Sequence, residues 1–450
     1  MFLVMLVGLL LLVSKTGRQT DKFARAEGDC IVEDGSPQPM SSRGFARSCC
    51  DVFPAQFGKY RPSTSNAPST LDHVWRIIAP WRFKRSFFEA GVHDDPRYFV
   101  LRELKHNDVV YVVTPDLSTF VKMFLKLPAS ARITLITGSE DIGAPWEIFH
   151  PNRTGYFDYN MAALWPEGQP VSMRDFILDP RLVKWYAQNY DLVGCNYYTC
   201  STVSRESDFS IVQKVEPLPI GLDLHSLSEK QRGATPRFIA SQICAQRQDL
   251  ATARSADSSF QHRRLTVHAE FDCVFQSPKG QELRIRTRGP LCALLLQYRG
   301  DPRFSYTSRS EGVTAGRKNS TDRKVENMKI KKPAVLSSRE SKIEFWKGVS
   351  ACAFSLAPPG FGVDTHRVWE ILQMRTVPIV LSSTLDPLYR QFPIVIVRSW
   401  DQVFAAGALE RFKKEIEMKH GVEPFTDQIL HKLSAKFWVE RVRNPNNSFL

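Results

Sequence analysis

The sequence predicts an α/β protein of two domains whose parallel sheets face each other across a cleft. Three observations lead to the two-domain α/β part of that expectation. Short β-branched runs alternate with stretches of helical spacing along the chain; the runs are apolar throughout, as in strands covered on both faces; and 450 residues make two to four domains at about 100 to 200 residues each. A composition of 43% hydrophobic and 24% charged residues excludes a disordered or collagenous chain.

In chain order, Met1 to Val13 is uninterrupted apolar sequence, shorter than the roughly 17 to 25 residues of a spanning helix. Residues 1–14 therefore read as a signal or anchor segment, a possible membrane anchor at the N-terminus, although no basic residue precedes the apolar run. Residues 15–70, rich in Ser, Pro, Gly and charge without periodicity, read as a disordered stem. An N-terminal α/β domain is expected over 71–235. Its strands are Val109–Val113, Ile133–Ile136 and Val215–Ile220. Its helices begin at Thr114, with Phe120, Met123 and Leu127 on one face, and span Asp179–Gln188.

A second α/β domain is expected over 236–405, with strands at Leu265–Phe271, Phe354–Ala357, Val377–Leu381 and Ile394–Val397 and helices over about 338–350 and 365–375. Inside it, residues 305–337 carry a run of Lys and Arg among Ser, Thr and Gly and read as a flexible, solvated basic loop. Helices are expected over 406–450. Sixty Lys and Arg against 47 Asp and Glu give a net charge of +13, which favours acidic partners such as nucleotides and phosphates. Nucleic acid is not expected as a partner. Nine cysteines without a CxxC pair permit a disulfide or two of unreadable connectivity, and the sequons at Asn152, Asn319 and Asn446 suit a secretory compartment. His262 and His268 have no metal-ligand spacing to a Cys or carboxylate.

The chemistry concentrates in Leu356-Ala-Pro-Pro-Gly-Phe-Gly-Val-Asp-Thr-His-Arg-Val-Trp-Glu370. A strand ends, a Pro/Gly loop bends the backbone, Asp364 has the side chain of an N-cap, and a helix follows. Such a helix start offers N–H groups and the positive end of a dipole to a diphosphate. At 100° per residue, Val368, Ile371 and Leu372 fall on one arc and His366, Arg367, Glu370 and Gln373 on the other. Arg367 suits phosphate oxygens and Glu370 a ribose's two hydroxyls, yet the same spacing equally suits an i,i+3 ion pair worth about 0.2–0.5 kcal/mol. Trp369 and Trp400 read as core.

That segment, followed by Pro378-Ile-Val, Leu385-Asp-Pro-Leu-Tyr389 and Pro393-Ile-Val-Ile-Val-Arg-Ser-Trp400, resembles the exostosin-type domain of glycosyltransferase family 47. Weaker similarity extends over residues 95–440. The resemblance implies the GT-B fold, a Golgi or other secretory-membrane location with a lumenal catalytic domain, and a nucleotide-sugar donor, usually a uridine diphosphate (UDP) sugar. Carried onto this chain, it implies that Gly360, Gly362 and Arg367 address the diphosphate, with His366 as a further donor, and Glu370 the ribose. Asp364 and Asp386 stand in the same segment, Asp386 either as a turn former or in a loop closing over the donor. Two departures stand out: Arg375-Thr376 occupies a place where the family commonly has a small Gly-type turn, and residues 237–337 match poorly.

The chain contains no Asp-x-Asp motif, so the expected mechanism is metal-independent, with no cofactor besides the donor. Family resemblance implies inversion, hence one displacement assisted by a general base. Candidates for that base are Asp141 after the Ile133–Ile136 strand, and Asp223 or His225 after Pro219-Ile-Gly. The reading is an inverting glycosyltransferase acting on a glycan or glycoprotein acceptor. The alternative is a catalytically inactive glycan- or nucleotide-binding protein of the same fold.

Overall fold

The computed structural model describes residues 81–83, 108–138, 142–149, 165, 170–192, 209–222, 245–246, 248–254, 259–271, 273, 282–306, 339–360 and 362–444. The expected anchor, stem, basic loop and sequons lie outside them, apart from Ser305 and Tyr306 at the loop's edge. Among the described residues no helix is long and apolar enough to cross a membrane. Two five-stranded sheets carry the fold, and every strand pairing in them is parallel.

The first sheet contains β1 (Trp81–Phe83), β2 (Asp108–Val113), β3 (Ile133–Gly138), β4 (Leu182–Ala187) and β5 (Val215–Pro217), side by side in chain order. Its β3 is buried along its whole length, which is why it reads as an unbroken apolar run. Around it stand α1 (Leu117–Phe124), α2 (Trp146–Phe149), α3 (Met173–Leu178) and α4 (Phe209–Lys214). Strands laid down in chain order with right-handed crossovers send their connecting helices to one face. The aromatic rings record this: Phe124 of α1, Phe149 of α2 and Trp185 of β4 all meet Phe176 of α3, at centroid distances of 5.0, 5.8 and 5.8 Å.

The opposite face needs cover from elsewhere. Side-chain alternation puts Lys184 and Tyr186 there, and parallel register sets Glu216 of β5 beside Tyr186. The cover comes from α12 (Ala435–Arg443). Arg441 donates from Nε and Nη2 to Glu216 Oε2 at 2.9 and 2.6 Å, and the Tyr186 hydroxyl donates to the Arg441 carbonyl at 3.1 Å. Lys184 Nζ lies 2.5 Å from the other oxygen of Glu216, so this buried carboxylate has two cations.

The second sheet contains β6 (Arg264–Ala269), β7 (Phe304–Tyr306), β8 (Cys352–Leu356), β9 (Val377–Leu381) and β10 (Val395–Val397), in the order β10-β9-β8-β6-β7. Its helices are α5 (Glu282–Gln297), α6 (Arg339–Ser350), α7 (His366–Gln373), α8 (Asp386–Tyr389), α9 (Asp401–Phe404), α10 (Ala408–His420) and α11 (Asp427–Lys432). The first strand of this unit is interior, with the second strand on one side and the third on the other. The order therefore reverses between β6 and β8.

The sequence expectations hold for most elements, with one reversal. Asp179–Gln188, expected to be helical, contains β4. Pro180 disfavours helical backbone at Asp179, which adopts φ −53° and ψ 130°, and the Val-Lys-Trp-Tyr run that follows is β-branched and aromatic. Among the described residues a disulfide joins Cys273 to Cys292 and ties the segment after β6 to α5, and Cys352 is a buried free thiol.

Candidate functional site

In an open parallel sheet the ligand crevice lies beyond the C-terminal ends of the strands where their order reverses. In the second sheet that point falls between β6, followed by Glu270, and β8, followed by the Pro358-Pro-Gly360 loop and α7. The segment singled out in the sequence is thus the segment at the reversal.

Helix α7 divides as its periodicity predicts. Val368, Trp369, Ile371 and Leu372 are buried, whereas His366, Arg367, Glu370 and Gln373 are half-buried. The Arg367 guanidinium donates to the backbone carbonyl of Glu270 and lies 5.1 Å above the ring of Phe345 in α6. A helix side chain is thereby fixed against the end of β6. His366 Nδ1 stands 2.8 Å from the carbonyl of Gly221. Because a carbonyl only accepts, that nitrogen carries a proton and donates. Arg288 of α5 braces the neighbouring loop, its Nε donating to the Pro359 carbonyl at 2.9 Å.

Asp364 is corrected from its expected role. The N-cap of α7 is Thr365, in extended conformation and without a side-chain capping bond. The Asp364 carboxylate, 2% exposed, instead accepts from Ile220 N of the first unit at 2.9 Å. It also accepts from Trp369 Nε1 and the Tyr389 hydroxyl, each at 3.0 Å, and from Thr365 N at 2.9 Å. Burial pushes its pKa up to about 6, against the pull of these four donors. Asp364 thus joins the two units and stiffens the start of α7 from beneath.

The two glycines of the loop also separate. A Cβ on Gly360 would meet nothing within 4 Å, whereas one on Gly362 would lie 2.6 Å from Asn189 Oδ1. Asn189 is fully buried, adopts φ 50°, and accepts from Asp364 N at 3.0 Å. Gly362 therefore makes room for a first-unit side chain, while Gly360 borders open space. Thr384 Oγ1, donating to the Tyr190 carbonyl at 2.5 Å, adds a further link between the units.

Of the remaining predicted residues, Asp386 serves its own turn, accepting from Ser382 Oγ at 2.7 Å and Ser383 N at 2.8 Å. Asp141, Asp223 and His225 lie outside the described residues. Sequence reasoning passed over a buried carboxylate pair formed by Asp191, just beyond β4, and Glu147 of α2. Asp191 accepts from Trp146 N at 2.6 Å and Glu147 N at 2.8 Å, and Glu147 accepts from Gly143 N at 2.7 Å. Burial, then the neighbouring Glu147 charge, pushes Asp191 up to about 8. Both residues are engaged by backbone donors, so this pair secures the start of α2 against the segment after β4. The described residues bring together no group of three metal-ligating side chains.

The end of α7 is where Arg375-Thr376 stands in place of a small Gly-type turn. Thr376 N donates to the Ile371 carbonyl at 3.2 Å and Arg375 N to the Leu372 carbonyl at 2.9 Å, the two bonds of a Schellman cap. Arg375 takes the left-handed position of that cap, at φ 55°, where glycine fits best. Arg263, buried behind it, donates to the Met374 carbonyl at 2.8 Å and to the Thr376 hydroxyl.

Two parallel sheets with intervening helices define the class of this protein as α/β, compatible with two Rossmann-like units. Compared with models of protein families the chain matches none, and compared with curated proteins it matches none.

Proposed function

We propose that the chain is an inverting glycosyltransferase of GT-B architecture. It moves a sugar from a nucleotide donor, a UDP-sugar, to a glycan or glycoprotein acceptor in a secretory compartment. The observation that carries the reading is the coincidence of two independent signals. The segment resembling family 47 is also the segment at the strand-order reversal, and its half-buried arc holds His366, Arg367 and Glu370. Arg367 and the α7 amino end would neutralise the departing diphosphate, and Glu370 would hold the ribose. Gly362 and Asp364 support the site from behind. The disulfide agrees with an oxidising compartment.

The test is calorimetric titration of the full chain with UDP, followed by hydrolysis of a nucleotide-sugar panel. Glu370→Ala is expected to weaken UDP binding by about tenfold or more, the order of hydrogen bonds to a charged acceptor, with an unchanged melting temperature. Equal affinity in the variant, or unfolding, removes Glu370 from the site. Binding without turnover of any donor identifies a non-catalytic binding protein instead.

A further inference from the structure

The mechanism above leaves a set of polar side chains at the strand-order reversal without a role. Ser355 of β8 and His268 of β6 stand side by side, with Ser355 Oγ 3.4 Å from His268 Nδ1. His268 Nε2 lies 3.6 Å from Glu270 Oε2, and the imidazole ring packs edge-on to Phe345 at 5.3 Å. Phe345 also carries the Arg367 guanidinium, which returns to the Glu270 carbonyl. The contacts close a ring: His268, Glu270, Arg367 and Phe345. Ser355 and His268 are 1% and 2% exposed, too deep for a ligand, but the Glu270 side chain is 13% exposed.

A carboxylate on the very residue whose carbonyl holds the arginine of a phosphate site needs an explanation. Against a diphosphate it is repulsive, and it would weaken the site if phosphate oxygens were all the crevice received. A carboxylate suits hydroxyl groups, from which it accepts with both oxygens. Arg367 thus stands at the reversal with two glutamates, Glu370 one turn along α7 and Glu270 at the end of β6. A ligand matching this pattern is anionic in its middle and carries hydroxyls at both ends.

We propose that Glu270 is a specificity-determining residue that reads hydroxyls of the transferred sugar, while Glu370 reads those of the ribose. This assignment rests on the nucleotide-sugar reading of the site. His268, with Ser355 behind it, is then a positioning residue that holds the Glu270 carboxylate at the mouth of the crevice, and the Cys273–Cys292 bridge anchors the segment that follows.

The experiment titrates the full chain and its Glu270→Gln variant with UDP and with UDP-glucose, UDP-galactose, UDP-N-acetylglucosamine and UDP-glucuronate. For the UDP-sugar that wild type prefers, Glu270→Gln is expected to lower affinity about tenfold, while UDP affinity stays within about twofold. Glu270→Asp, which keeps the charge near His268 but shortens its reach, should show the same selective loss. It serves in place of the Gln variant should that one not fold. Equal loss of UDP and UDP-sugar shows a structural role and overturns the assignment, as does an unchanged UDP-sugar affinity. Failure of wild type to bind any UDP-sugar while binding UDP also overturns it. Failure of wild type to bind UDP removes the transferase reading along with it.

Discussion

The two sheets have the same number of strands, all parallel, and differ in order. In the first, β1 to β5 follow one another across the sheet; in the second, β6 lies inside and the succession turns back between β6 and β8. That difference decides what each can do with its strand ends. At a reversal neighbouring connections depart to opposite sides, and Glu270, Arg367 and Glu370 stand there on the end of β6 and on α7. In the first sheet, Asp191 beyond β4 and Glu147 of α2 accept from the Trp146, Glu147 and Gly143 backbone N–H groups. A buried carboxylate is therefore poor evidence for a site unless the topology leaves it somewhere to point.

The largest expected effect concerns the seam between the sheets. Asp364→Ala strands three buried donors, Ile220 N, Trp369 Nε1 and the Tyr389 hydroxyl, and should cost about 3 kcal/mol or more in urea unfolding. A loss below about 1 kcal/mol would mean the two units are not joined through this residue.

A second measurement separates structural carboxylates from ligand-facing ones. Because Asp191 and Asp364 titrate higher in the folded chain than in the unfolded one, the folded state holds more protons between about pH 4 and their folded values, about 8 and about 6. Stability should accordingly fall as pH rises through that window. Asp191→Asn should flatten the dependence of unfolding free energy between pH 6 and 8 by on the order of 1 kcal/mol per pH unit and leave UDP affinity unaltered. A change in UDP affinity would place the first sheet's strand ends in the site after all.

The smallest effect is at the Schellman cap. Arg375→Gly relieves a left-handed backbone and should raise stability by about 1 kcal/mol, read as a higher melting temperature. A decrease would show that the Arg375 side chain contributes more than its backbone costs.

Much of both units was legible in the sequence because the signals are local. The β-branched runs at β2, β3 and β9 and the two arcs of α7 each follow from a dozen residues. What escaped depends on distant partners. Asp364 looks like a helix cap to a local reading, and only the meeting with Ile220, 144 residues away, gives it another use. Strand order cannot be read from periodicity, so Glu270 looked like any polar residue after a strand. The Asp179–Gln188 segment misled because a helix pattern was extended across Pro180, which ends α3 in the structure. Arg375 was legible as out of place, and its φ of 55° supplies the physical reason.

The clasp of α12 on the first sheet joins residues 225 positions apart, Glu216 and Arg441. Translation delivers the sheet long before it delivers its cover, so the early half of the molecule must wait on the ribosome with one side unfinished. Maturation of this protein is therefore decided late, by its last described helix, and a chaperone holding the nascent chain would have that same side to protect.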